Sequence, residues 1–199
     1  MKSTFLISIL TLLFATFSIA QDVTQWRGKD RKGIYPDKDL ADEWSAEGPE
    51  LVLEIKDIGN GYGSPVIVND IIYIQGEINE TGQLFAIKTN GELVWKKPYG
   101  KEWVKSYSGS RSSPTVVNNL IYTCSGFGEL SCYKIHNGEK VWSKHLKNNF
   151  NGEYTRHGHS ESPLIYGDKV FFVPGGENSN VVALNRFTGE IIWKSNGVG

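Results

Sequence analysis

Apolar and polar residues follow one another in short blocks along this chain, and three stretches share one layout: "VIVNDIIYI" at 66–74, "TVVNNLIYT" at 115–123 and "LIYGDKVFFV" at 164–173. Each predicts an apolar strand, a two-residue polar turn (Asn69-Asp70, Asn118-Asn119 or Gly167-Asp168) and a second apolar strand. Asn, Asp and Gly tolerate the positive φ angles that a tight hairpin requires. The strands are apolar on both faces, where a lone half-buried hairpin would alternate, so sheets are expected to stack on sheets. A second hairpin follows each time: "LFAIKTNGELVW" at 84–95, "LSCYKIHNGEKVW" at 130–142 and "VVALNRFTGEIIW" at 181–193. These turn at Gly91, Gly138 and Gly189 and end in Trp95, Trp142 and Trp193.

Ser64-Pro65, Ser113-Pro114 and Ser162-Pro163 precede the three units at a spacing of 49 residues both times. A fixed period of this length, carrying strand patterns, predicts a radially repeated, all-β architecture of four-stranded antiparallel blades. The blades are expected over about 61–100, 108–148 and 158–199, after an N-terminal extension at 21–49. Residues 50–56, "ELVLEIK", match the end of a blade with Leu53 in the tryptophan position, and predict an outer strand without inner partners. Each repeat tryptophan would bury ~150–250 Å², worth roughly 4–6 kcal/mol as an upper bound, and is expected to pack blade on blade.

Composition narrows the setting. The first 20 residues hold one Lys, an apolar run and small residues ending at Ala20, which predicts a secretory signal cut after Ala20 and a periplasmic or secreted protein. The following Gln21 gives no cysteine for a lipid anchor, and no transmembrane helix is expected in the mature chain. A net charge of −1 gives no reason to expect a nucleic-acid partner.

The phrase Ala-x-Asp-x-x-Thr-Gly-Lys-x-x-Trp is the docking motif of pyrroloquinoline-quinone (PQQ)-type β-propellers. Ala183, Asn185, Thr188, Gly189, Glu190 and Trp193 resemble a near-complete copy. Cys132, Gly138, Glu139 and Trp142 form a weaker one, with Lys134 in the acidic position, and the copy around Ala86 and Trp95 is one residue short. "QWRGKDRKG" at 25–33 resembles the start of secreted bacterial PQQ-like repeat proteins. The resemblance implies a ring of seven or eight blades, so the chain is expected to be an N-terminal fragment. Broken edges would then expose apolar blade faces, and self-association is expected of such a piece on its own.

The resemblance also places a quinone and a Ca²⁺ on the propeller axis, next to the residues just before each Ser-Pro. Those are Tyr62, Arg111 and Glu161: a ring to stack, a cation for an anionic quinone and a carboxylate for calcium. The alternative is that all three are loop residues serving backbone groups at the channel mouth. "RHGHSE" at 156–161 offers His157, His159 and Glu161 as a weak metal-ligand set, disfavoured by Arg156. Cys124 and Cys132 lie on neighbouring predicted strands and could form a cross-strand disulfide or remain two buried thiols. Asn79-Glu80-Thr81 is a glycosylation sequon, of consequence only in a glycosylating host.

Three functions fit these observations. A non-catalytic scaffold, similar to the propeller subunit of the outer-membrane β-barrel assembly machinery, would bind protein partners. The first part of a PQQ- and Ca-dependent alcohol or sugar dehydrogenase would carry its remaining catalytic residues elsewhere. A secreted glycan-binding module would stack sugars on Trp103 and Tyr107, although Trp103 could equally fill a gap between blades.

Overall fold

The computed structural model describes residues 23–197, so the signal segment expected at 1–20 lies outside the described residues. Twelve of the strands fall into three antiparallel four-stranded units, in chain order within each. The first holds β2 (Val66–Val68), β3 (Ile71–Ile78), β4 (Thr81–Lys88) and β5 (Leu93–Lys101). The second holds β6 (Thr115–Val117), β7 (Leu120–Cys124), β8 (Glu129–Lys134) and β9 (Lys140–His145). The third holds β10 (Leu164–Tyr166), β11 (Lys169–Phe172), β12 (Val182–Asn185) and β13 (Ile191–Lys194).

Register explains why the repeat reads as it does. Ala86 pairs with both Tyr73 and Trp95, Cys132 with Tyr122 and Trp142, and Ala183 with Phe171 and Trp193. A small residue on the third strand lets the rings of the second and fourth close over it, at centroid separations of 5.9, 6.2 and 6.1 Å. A β-bulge follows that small residue in all three blades.

The same tryptophans join the blades. Trp95 Nε1 donates to the Ile135 carbonyl at 3.1 Å, and Trp142 Nε1 to the Arg186 carbonyl at 2.9 Å. A Cβ added to Gly138 would stand 2.8 Å from the Trp95 ring, and one on Gly189 the same distance from Trp142, so the motif glycine is the seat for the preceding blade's indole. Two buried clusters run through these seams, one around Trp95 and Tyr133, the other around Trp142, Tyr122 and Leu184.

Three features depart from the sequence reading. Residues 50–56 form no strand, yet Leu53 Cδ1 lies 3.5 Å from the Cβ position of Gly91, in the seat that Trp95 and Trp142 take on the next two blades. With no inner neighbour among the described residues, this segment has no ladder to complete. Val23–Thr24, expected to lie outside the blades, forms β1 and pairs with Val117 and Val116, giving the second blade a fifth, innermost strand. A short helix, α1 (Leu146–Phe150), follows β9, with Leu146 and Phe150 four apart and both buried. Cys124 and Cys132 are free buried thiols whose register partners are Leu130 and Tyr122, not each other.

Candidate functional site

The inner ends of the blades meet through the Ser-Pro markers. The Ser64 N–H donates to Ser113 Oγ at 2.8 Å, and the Ser113 N–H to Ser162 Oγ at 2.9 Å. One hydrogen bond is thus repeated from blade to blade, and it brings the residues before each marker together. Tyr62 is drawn in by its N–H, which donates to the Ser110 carbonyl at 2.8 Å beside Arg111.

A pocket of about 490 Å³ opens here, lined by Tyr62, Arg111 and Glu161 together with Trp26, Gly63 and serines 64, 113, 160 and 162. The three residues singled out before the Ser-Pro markers therefore line one pocket. Trp26 reaches it because β1 delivers the next residues across the inner strands, where Arg31 Nη1 bonds the Ile165 carbonyl at 3.2 Å. Tyr62 is 64 % exposed and Trp26 53 % exposed, so the rim is aromatic and open.

Arg111 is tethered from behind. Its Nη2 donates to the carbonyls of Ser106 and Tyr107, whereas Nη1 is buried with no partner. Glu161 Oε2 accepts from the Val173 N–H at 3.3 Å, and burial raises its pKa against that bond. His159 packs on Phe172, and burial lowers its pKa. His159 Nδ1 stands 3.9 Å from Glu161 Oε2, while His157 lies on an exposed turn, so the three weak metal candidates do not converge. No group of three or more metal-binding side chains occurs among the described residues.

A fully buried carboxyl, Glu102, braces the connector that holds Arg111. It takes hydrogen bonds from Tyr99 Oη and, at 2.7 Å, from the Gly126 N–H; Tyr99 also bonds Ser110 Oγ at 2.9 Å. Gly126 in turn gives its carbonyl to the His159 N–H at 2.8 Å, so Glu102, Gly126 and His159 link the three blades at one junction. Burial pushes the Glu102 carboxyl up to about 7, against the hydrogen bonds from Tyr99 and the Gly126 and Trp103 N–H groups and the charge of Arg111.

Trp103 is buried, donates to Ser106 Oγ at 3.1 Å and packs on Phe127, so it is filler between blades and offers no sugar platform. Tyr107 remains 76 % exposed. Sequence reasoning missed Trp26, the marker serines as hydrogen-bonding groups, and Glu102. The exact repetition of Ser-Pro was a usable signal for the serines; a lone acid after Lys101 gave none for Glu102.

A family model described as "Outer membrane protein assembly factor BamB" matches residues 80–198. The chain belongs to this family of PQQ-type propellers. It is 29 % identical over 101 residues to a quinoprotein ethanol dehydrogenase of Pseudomonas aeruginosa, covering 51 % of this chain and 15 % of that protein. It is 23 % identical over 139 residues to the outer membrane protein assembly factor BamB of Kangiella koreensis, covering 68 % of this chain and 32 % of that protein. The chain thus spans a third or less of either relative. The structure of a quinohemoprotein alcohol dehydrogenase from Pseudomonas putida HK5 superposes with a TM-score of 0.52 at 18 % identity, over 74 % of this chain and 22 % of that one, a likeness of fold. PQQ-type propellers of this family therefore include assembly factors and dehydrogenases. No helix among the described residues is long and apolar enough to cross a membrane.

Proposed function

We propose that the chain belongs to an extracytoplasmic propeller that acts as a binding or assembly scaffold, without catalysis of its own. The observation that carries this is the open pocket at the inner ends of the blades, lined by exposed Trp26 and Tyr62 and by Arg111, which bonds the carbonyl of exposed Tyr107. Exposed aromatic side chains beside a tethered arginine are the residue types that anchor protein partners. The alignment with the assembly factor is also the longer of the two. An extracytoplasmic setting rests on the leader-like first 20 residues and on the kinship with an outer-membrane assembly factor.

A photo-crosslinking residue at Tyr107, compared with one at exposed Tyr166 on the third blade, tests this reading in the native envelope. A discrete protein adduct from position 107 alone is expected. No adduct, or the same adducts from both positions, would count against it.

A second reading is the N-terminal part of a PQQ- and Ca-dependent alcohol or sugar dehydrogenase, favoured by the meeting of Tyr62, Arg111 and Glu161 in one pocket and by the dehydrogenase relative. The donor set fits in part: the unpartnered Nη1 of Arg111 suits a quinone carboxylate, Tyr62 a stacked ring and Glu161 a divalent cation. The bound quinone would supply the oxidising chemistry, while these side chains would bind and orient it.

A further inference from the structure

We infer that this pocket receives the terminal carboxylate of an extended polypeptide, which rests on the scaffold reading and names what the scaffold holds. The lining offers more donors than it uses. Ser113 Oγ and Ser162 Oγ each accept from a backbone N–H, which leaves their own hydroxyl protons without an acceptor among the described residues. Ser64 adds a third hydroxyl at the same wall. Arg111 spends Nη2 on two carbonyls and keeps Nη1 buried and unmet. A small turn of the guanidinium would present that N–H to the cavity, and a carboxylate, with several lone-pair sites in one plane, matches a guanidinium edge flanked by hydroxyls.

Glu161 is the one acidic group in the lining, and its Oε2 is already engaged by the Val173 N–H. Burial raises its pKa. Trp26 and Tyr62 line the pocket and are both largely exposed. A ligand whose carboxylate sits at Arg111 therefore meets aromatic surface as it leaves, which suits a chain continuing outward. Capture of a chain terminus by charge-assisted hydrogen bonds is an established mode of peptide recognition.

The test is fluorescence anisotropy on the intact protein with a labelled hexapeptide ending in tyrosine, as the free acid and as the C-terminal amide. The free acid is expected to bind about tenfold more tightly, a comparison that needs no variant and so does not depend on one folding. Arg111→Gln should erase the preference, and Ser113→Ala should reduce it. Equal binding of the two peptides, no binding of either, or displacement of the acid by PQQ with Ca²⁺ would overturn the inference. Crosslinks from position 107 judge the scaffold reading separately: adducts there with no acid preference would leave the scaffold standing and remove only the carboxylate.

Discussion

The outer and inner ends of the same three blades are built under opposite constraints. At the outer ends one arrangement recurs: a small residue between two rings, with the tryptophan of one blade seated on the glycine of the next. At the inner ends the shared hydrogen bond from serine to serine recurs, but the side chains two places before it are Tyr62, Arg111 and Ser160. Repetition marks where a blade must fit its neighbour, and variation marks where the fit is already secured and chemistry is free to differ.

The strongest way to break this comparison is at the outer seam. Trp142 is 8 % exposed and bonded to the next blade, whereas Trp193, at the same position in the third, is 41 % exposed and docks on no further blade among the described residues. Trp142→Ala is expected to cost about 3–5 kcal/mol in denaturant unfolding, and Trp193→Ala less than about 2 kcal/mol. Equal losses would show that the seam does not carry the stability assigned to it.

The next effect lies in the junction between the two ends. Burial holds the Glu102 carboxyl up at about 7, against its ordinary value of 4.5. The folded state therefore holds this proton more tightly than the unfolded one. The contribution to stability is present in full below about pH 4.5 and is lost as pH rises to about 7, a change of ~3 kcal/mol. Unfolding of wild type and Glu102→Gln, followed from pH 4.5 to pH 8, should show a steeper downward slope in the wild type than in the variant. Parallel curves would remove Glu102 from this role.

How much of this could be read from the sequence follows the same division. The blades, their turns and the docking tryptophans were legible because each is dictated by periodicity and turn chemistry, and three copies check one another. At the inner ends, Tyr62, Arg111 and Glu161 were singled out by their place before Ser-Pro, and they line one pocket. Trp26 was not, because β1 is two residues long and its pairing with β6 is a tertiary event with no local pattern. Trp103 stayed open between sugar platform and filler because its burial depends on Phe127 from the neighbouring blade. The α1 turn escaped because five residues are too short to show a helical period.

The smallest stability effect should come from the rim itself. Tyr62→Ala, at a largely exposed position, is expected to change unfolding free energy by no more than about 0.5 kcal/mol while weakening whatever the pocket binds. A loss comparable to that of Trp142→Ala would place Tyr62 in the seam and not in the site.

The measurement that bears most directly on the scaffold reading is calorimetric titration of the intact protein with PQQ, with and without Ca²⁺. A cofactor-free scaffold predicts no heat beyond dilution in either condition. Saturable, calcium-dependent binding would contradict it and assign Tyr62, Arg111 and Glu161 to a dehydrogenase.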